Sequence, residues 1–163
     1  MSSAIIRRAV LLLIVGAVTL TGSATAQTGT GIAAELAKVM DKYAAALDGN
    51  DVEGLVALYT PNGVFMREDM KAVVGTAALR AAYKEVFATL KVNLKFDIQE
   101  AEETGDMAWL RGVSTGTVKV LKTGVETKES FNQLVVFRKE GGAWKIRSYL
   151  FASNRVDPGQ TPK

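Results

Sequence analysis

The feature that most constrains the fold is a change of hydrophobic period near Lys91. Before it, apolar residues recur every three or four positions. Ile32, Leu36, Val39, Met40, Tyr43 and Leu47 form one stripe, and Leu79, Tyr83, Val86, Phe87 and Leu90 another. After it, Val92, Leu94, Phe96 and Ile98 alternate with polar residues, the period of a strand with one buried face. Turn clusters at Thr104-Gly105-Asp106, Lys122-Thr123-Gly124 and Gly141-Gly142 then separate three further strands, roughly residues 107–121, 125–139 and 143–153. Strands joined by short turns pair antiparallel, and helices followed by strands specify an α+β fold. Gly112 and Gly116, in mid-strand, predict a bulge or strong curvature. The expected shape is a cone: a curved antiparallel sheet wrapped over three N-terminal helices, open at one end.

Local signals fill in the first half. Asp48-Gly49-Asn50 ends the first helix, with Gly49 suited to the left-handed cap. Asp51 is an N-cap for a short second helix that buries Leu55, Leu58 and Tyr59 and stops before Pro61. Asn62-Gly63 makes a turn, residues 64–67 a short strand, and Thr76 caps the third helix.

The N-terminus is set apart. Arg7 and Arg8 precede an apolar run from Ala9 to Leu20, and Ala24-Thr25-Ala26 supplies the small residues a signal peptidase reads. Residues 1–26 are therefore expected to be a cleaved signal peptide, 27–31 a linker, 32–154 the domain and 155–163 a loose tail. The run is short for a membrane span, so the membrane is met only through the leader before cleavage; an uncleaved anchor is the alternative. The expected location is periplasmic or secreted. With no cysteine, a lipid-attached lipoprotein and disulfides are both excluded. Losing Arg7 and Arg8 changes 20 basic residues against 17 acidic into 18 against 17, a net charge of +1. No dense basic stripe remains, so nucleic acid is not an expected partner.

The segment from Tyr43 to Tyr59, YAAALDGNDVEGLVALY, resembles the start of the nuclear-transport-factor-2-like cone proteins. The segment from Gly75 to Tyr83, GTAALRAAY, is similar to their third helix, and the one from Gly142 to Ser148, GAWKIRS, to their final strand. The likeness is nearest to the SnoaL-like branch and runs from Ile32 to Asn154, with ketosteroid isomerases and SnoaL-type polyketide cyclases as cousins. It speaks to fold more than to function. Against the isomerases, Tyr43 matches a tyrosine on the first helix. The general-base aspartate matches Arg67 or a neighbour, and the protonated aspartate matches a position near Gln133 or Leu134. The resemblance thus implies that the isomerase acid–base pair is missing, since a cation cannot abstract a proton at neutral pH.

The chain has no histidine and no cysteine, which removes Ser-His-Asp and Cys-His nucleophilic systems and His- or Cys-ligated metal. No Gly-rich phosphate loop is present. Glu100, Glu102, Glu103 and Asp106 surround a turn without calcium-loop spacing and read as a solvated hairpin. No metal or cofactor is expected. The informative signal is polar residues among apolar strand neighbours: Arg111 beside Met107, Trp109 and Val113; Gln133 beside Phe131, Val135 and Phe137; Ser148 beside Trp144, Ile146 and Leu150. Such groups are tolerated in a sheet face if they pair or line a wet cavity, and apolar walls with a few polar groups describe a ligand pocket. The candidate ligand-binding residues are Tyr43, Tyr59, Tyr83, Trp109, Arg111, Gln133 and Ser148. For the tyrosines simple core packing is the other reading, and for Arg111 an ion pair with an acid such as Asp97. Glu68 and Asp69, near the expected mouth, are candidate general bases or plain exposed loop acids.

Leu110, Val118, Leu134, Val136, Tyr149 and Phe151 fall on the opposite face in this reading. A sheet apolar on both faces needs two covers, which predicts a homodimer packed sheet to sheet. Three functions remain open. The first is an exported binder of a small, largely apolar molecule bearing a carbonyl or carboxylate. The second is a cofactor-independent enzyme acting on a carbonyl compound, and the third a protein-interaction module.

Overall fold

The computed structural model describes residues 30–154; the expected leader and tail lie outside them. Helix α1 runs over Thr30–Asp48, starting two residues before Ile32. Ile32, Leu36, Met40, Tyr43 and Leu47 are all buried, as the stripe requires. Asn50, not Gly49, takes the left-handed conformation after it, at φ 54°. Asparagine reaches this region because its short polar side chain bonds locally. Asp51 caps helix α2, Val52–Ala57, accepting the Gly54 N–H at 2.8 Å.

Tyr59 is not helical. It opens strand β1, Tyr59–Met66, which absorbs the expected Asn62-Gly63 turn as an irregularity: Tyr59 pairs with Ile146 and Val64 with Ser148. Strand β2, Val73–Val74, pairs antiparallel with β1. Helix α3, Thr76–Thr89, has Gly75 at its N-cap with φ 86°. The Thr76 hydroxyl does not cap it but donates to the Pro61 carbonyl at 3.3 Å, tying the helix to β1.

Strands β3 (Leu90–Thr104), β4 (Met107–Val120), β5 (Glu126–Glu140) and β6 (Ala143–Ser153) form the expected antiparallel meander. The sheet order is β2-β1-β6-β5-β4-β3, and the β1–β6 pairing is parallel. The first strand thus lies beside the last, with the two-residue β2 at the sheet edge beyond it. Gly112 and Gly116 allow the curvature. A Cβ at either would fall inside contact distance of a β3 carbonyl, that of Asp97 or Asn93 respectively. The register shift itself lies across from Gly112, in β3 between Ile98 and Glu100.

A second shift, between Val136 and Phe137 of β5, makes Arg147 an extra residue in β6. A shift of one residue exchanges the faces of a strand. Trp144 and Ile146 point into the cone before it and Tyr149 after it, all buried, while Ser148 pairs with Val136 on the outer side. The core between helices and sheet includes Leu36, Met40, Leu55, Leu79, Val135, Phe137 and Ile146.

Candidate functional site

An aromatic layer lies between α1, α3 and the inner sheet face. Tyr43 meets Tyr149 edge to face at 5.2 Å, Phe65 stacks on Tyr83 at 5.2 Å, and Phe65 meets Phe151 at 5.8 Å. Beside this layer, the last turns of α1 and α3 and the strands enclose a cavity of about 350 Å³. Its walls include Tyr43, Phe65, Val118, Phe131, Tyr149 and Phe151, with Gln133 as a neutral polar residue and Arg67 and Glu68 as the charged ones.

Three tyrosine hydroxyls form a chain at the cavity floor. Tyr83 lies 2.8 Å from Tyr43 and 2.8 Å from Tyr59. Three hydroxyls carry three protons and share two hydrogen bonds, so one O–H of the three is left to donate outside the group. Tyr43 lines the cavity and Tyr59 does not. When Tyr59 donates to Tyr83 and Tyr83 to Tyr43, the spare proton is on Tyr43, at the cavity. Burial pushes all three phenols, and Tyr149, well above the usual tyrosine value. They are hydrogen-bond donors at neutral pH and not bases.

On the sheet side, Gln133 is buried and its amide N–H₂ donates to the hydroxyl of Ser114, itself fully buried on β4. Ser114 holds the amide from behind while Gln133 lines the cavity. Sequence alternation contained this signal: Ser114 shares the parity of Gly112 and Leu110, all three buried.

That parity also corrects two candidates. Leu110 is buried, so Trp109 and Arg111, one residue either side, face outward. Arg111 is exposed and donates to Glu100 at 3.1 Å and to Gln99 at 2.5 Å, not to Asp97. Ser148 faces outward because of the extra residue at Arg147. Conversely Tyr149, Phe151 and Val118, expected outside, line the cavity. Of the sequence candidates, Tyr43, Tyr83, Gln133 and Glu68 meet there, with Tyr59 behind them; Trp109, Arg111, Ser148 and Asp69 do not line it. Asp69 sits exposed in the turn after β1 at φ 57°. Glu68 accepts the Ser153 N–H at 2.7 Å. Among the turn acids, Glu100 pairs with Arg111 and Asp106 with Arg138.

A curved sheet folded over helices with a pocket at its open end defines the cone class of α+β proteins. The profile of the SnoaL-like domain family matches residues 40–148, and the chain belongs to that family. No curated protein matches it in sequence. A ketosteroid isomerase-like protein from Erwinia carotovora atroseptica is similar with a TM-score of 0.72 and 28% identity, over 78% of this chain and 100% of its own. A conserved protein from Planctomyces limnophilus superposes with a TM-score of 0.67 at 18% identity, over 75% and 97%. An NTF2-like protein with a cystatin-like fold from Novosphingobium aromaticivorans gives 0.62 at 19%, over 77% and 84%. The last two likenesses concern the fold alone.

Proposed function

We propose that the protein is an exported small-molecule-binding cone protein whose ligand is largely apolar and occupies the cavity above the tyrosine chain. The observation that carries this reading is the cavity itself: about 350 Å³, walled by aromatic and aliphatic side chains, with Tyr43 and Gln133 converging on it. Apolar walls give affinity and a few fixed polar groups give orientation. A protein-interaction module would have no need to leave its cone open. Export rests on the leader pattern of residues 1–26.

Native mass spectrometry of the mature protein, purified gently from its exporting host, tests the reading. A retained small molecule that Tyr149→Ala releases supports it. An empty protein that takes up no apolar compound in titration overturns it.

The tyrosine chain favours a second reading, enolisation of a carbonyl compound. Tyr43, backed by Tyr83, and Gln133 would donate to the developing oxyanion, and Glu68 would act as base. The name of the Erwinia relative, ketosteroid isomerase-like, points the same way. Solvent deuterium exchange into a bound ketone, abolished by Glu68→Gln, tests it.

The outer sheet face is the proposed contact with a second copy. Met107, Trp109, Leu134 and Val136 line a shallow apolar groove there, and Leu150, paired with Leu134, is 41% exposed. Arg111 and Arg138 lie on β4 and β5, which bear this groove, and pair with Glu100 on β3 and Asp106 in the β3–β4 turn. A rim carrying both signs is complementary to itself across a twofold axis.

A further inference from the structure

We propose that the ligand of this cavity is an apolar monocarboxylate, and that Arg67 holds its carboxylate; the proposal rests on the binding reading given above. Arg67 follows β1 directly and lines the cavity. It forms no salt bridge among the described residues, and its Nε is buried with no hydrogen-bond partner. The other arginine side chains with partners show the contrast: Arg80 grips Glu53 with two bonds, at 2.6 and 2.8 Å, Arg111 and Arg138 each have an acid, and Arg147 donates to the Asn62 carbonyl at 2.8 Å. Arg67 instead lies against the Phe65 ring, its guanidinium carbon 5.7 Å from the centroid. Stacking of this kind holds a guanidinium in place without using its N–H donors.

The adjacent acid does not neutralise it. Glu68 also lines the cavity, but one of its carboxylate oxygens is taken by the Ser153 N–H. A half-buried guanidinium whose Nε–H is buried and unused is a prepared contact for an incoming anion. Guanidinium presents parallel N–H groups that match the two oxygens of a carboxylate. One cation in a cavity whose other charged residue, Glu68, is engaged with the Ser153 N–H suits a single negative charge, whereas a phosphate dianion would need further donors. The ligand's hydrocarbon body then lies against Phe131, Phe151 and Val118, with Tyr43 and Gln133 left for a second polar group at its far end.

The test uses a matched pair of probes, 2-naphthylacetate and its uncharged amide, in calorimetric titrations of the mature protein. The wild type is expected to bind the acid roughly 10–100-fold more tightly than the amide, the range for one charge-assisted contact. Arg67→Met should remove that preference while the amide still binds, which also shows that the variant is folded. Arg67→Lys, which keeps the charge and loses the fork, should retain part of the preference. Equal binding of acid and amide by the wild type, or an acid preference that survives in Arg67→Met, overturns the assignment of Arg67 while the cavity stays a binding site. Binding of neither probe, together with no retained molecule in the native spectrum, overturns the binding reading and this proposal with it.

Discussion

The hydroxyls of Tyr43 on α1 and Tyr83 on α3, forty residues apart in the chain, lie 2.8 Å apart and join the two helices. Tyr83 bonds Tyr59 as well, so it is the central member of the group. Tyr83→Phe would leave two buried hydroxyls without their partner and is expected to destabilise the fold by about 2–4 kcal/mol, against about 1 kcal/mol for Tyr59→Phe. Urea denaturation of both variants checks the order. Equal losses would mean that the chain of hydroxyls contributes nothing beyond ring packing.

All four tyrosines of the protein are in this layer, and burial raises every one. Below about pH 10 the folded and unfolded states both keep the phenol protons. Above it the unfolded chain releases protons that the folded state retains, so stability falls as pH rises, by up to about 1.4 kcal/mol per pH unit for each tyrosine. Tyrosinate absorbance should therefore appear together with the loss of far-ultraviolet circular dichroism. A phenol titrating near pH 10 in a protein still folded would contradict the burial.

Gly116 carries no side chain because the Asn93 carbonyl occupies that space. Gly116→Ala must push β3 away from β4 and is expected to cost about 1–3 kcal/mol. Gly105→Ala should also cost stability, there through its φ of 61° and not through contact, as nothing lies near its Cβ position. Amide exchange separates the two, with protection lost along β3 only in the first.

Leu134 is 43% exposed at the centre of the outer face. Leu134→Glu is expected to turn a dimer into a monomer in sedimentation, with ligand affinity unchanged because Leu134 is absent from the cavity wall. A monomeric wild type would remove the sheet-to-sheet contact.

Arg111→Ala gives the complementary control. Its ion pair with Glu100 is about half exposed on both sides, so the expected loss is about 0.5 kcal/mol or less. Binding of an apolar acid should not change. A loss of binding would return Arg111 to the site.

Much of this protein was legible in one dimension. Periodicity alone distinguished α1 and α3 from the meander, because the helical stripe and the strand alternation report which side of each element meets the core. Tyr43 and Tyr83 fell on those stripes, and Gln133 on the inner parity of β5. The errors came from places where backbone geometry breaks the local rule. Asn50 took the cap expected of Gly49, and Tyr59 left its helix for a parallel pairing with a strand more than eighty residues later. The extra residue at Arg147 exchanged Ser148 for Tyr149, and the parity of β4 was set by Leu110 rather than Trp109. A face cannot be assigned from alternation without an origin, and only the packing of strand on helix supplies one. The sequence by itself determined the α+β class, the element order and the absence of histidine and cysteine chemistry. Tertiary structure alone decided that Arg67, and not Arg111, is the cation in the cavity, because register and curvature choose which side chain of each strand lies inside the cone.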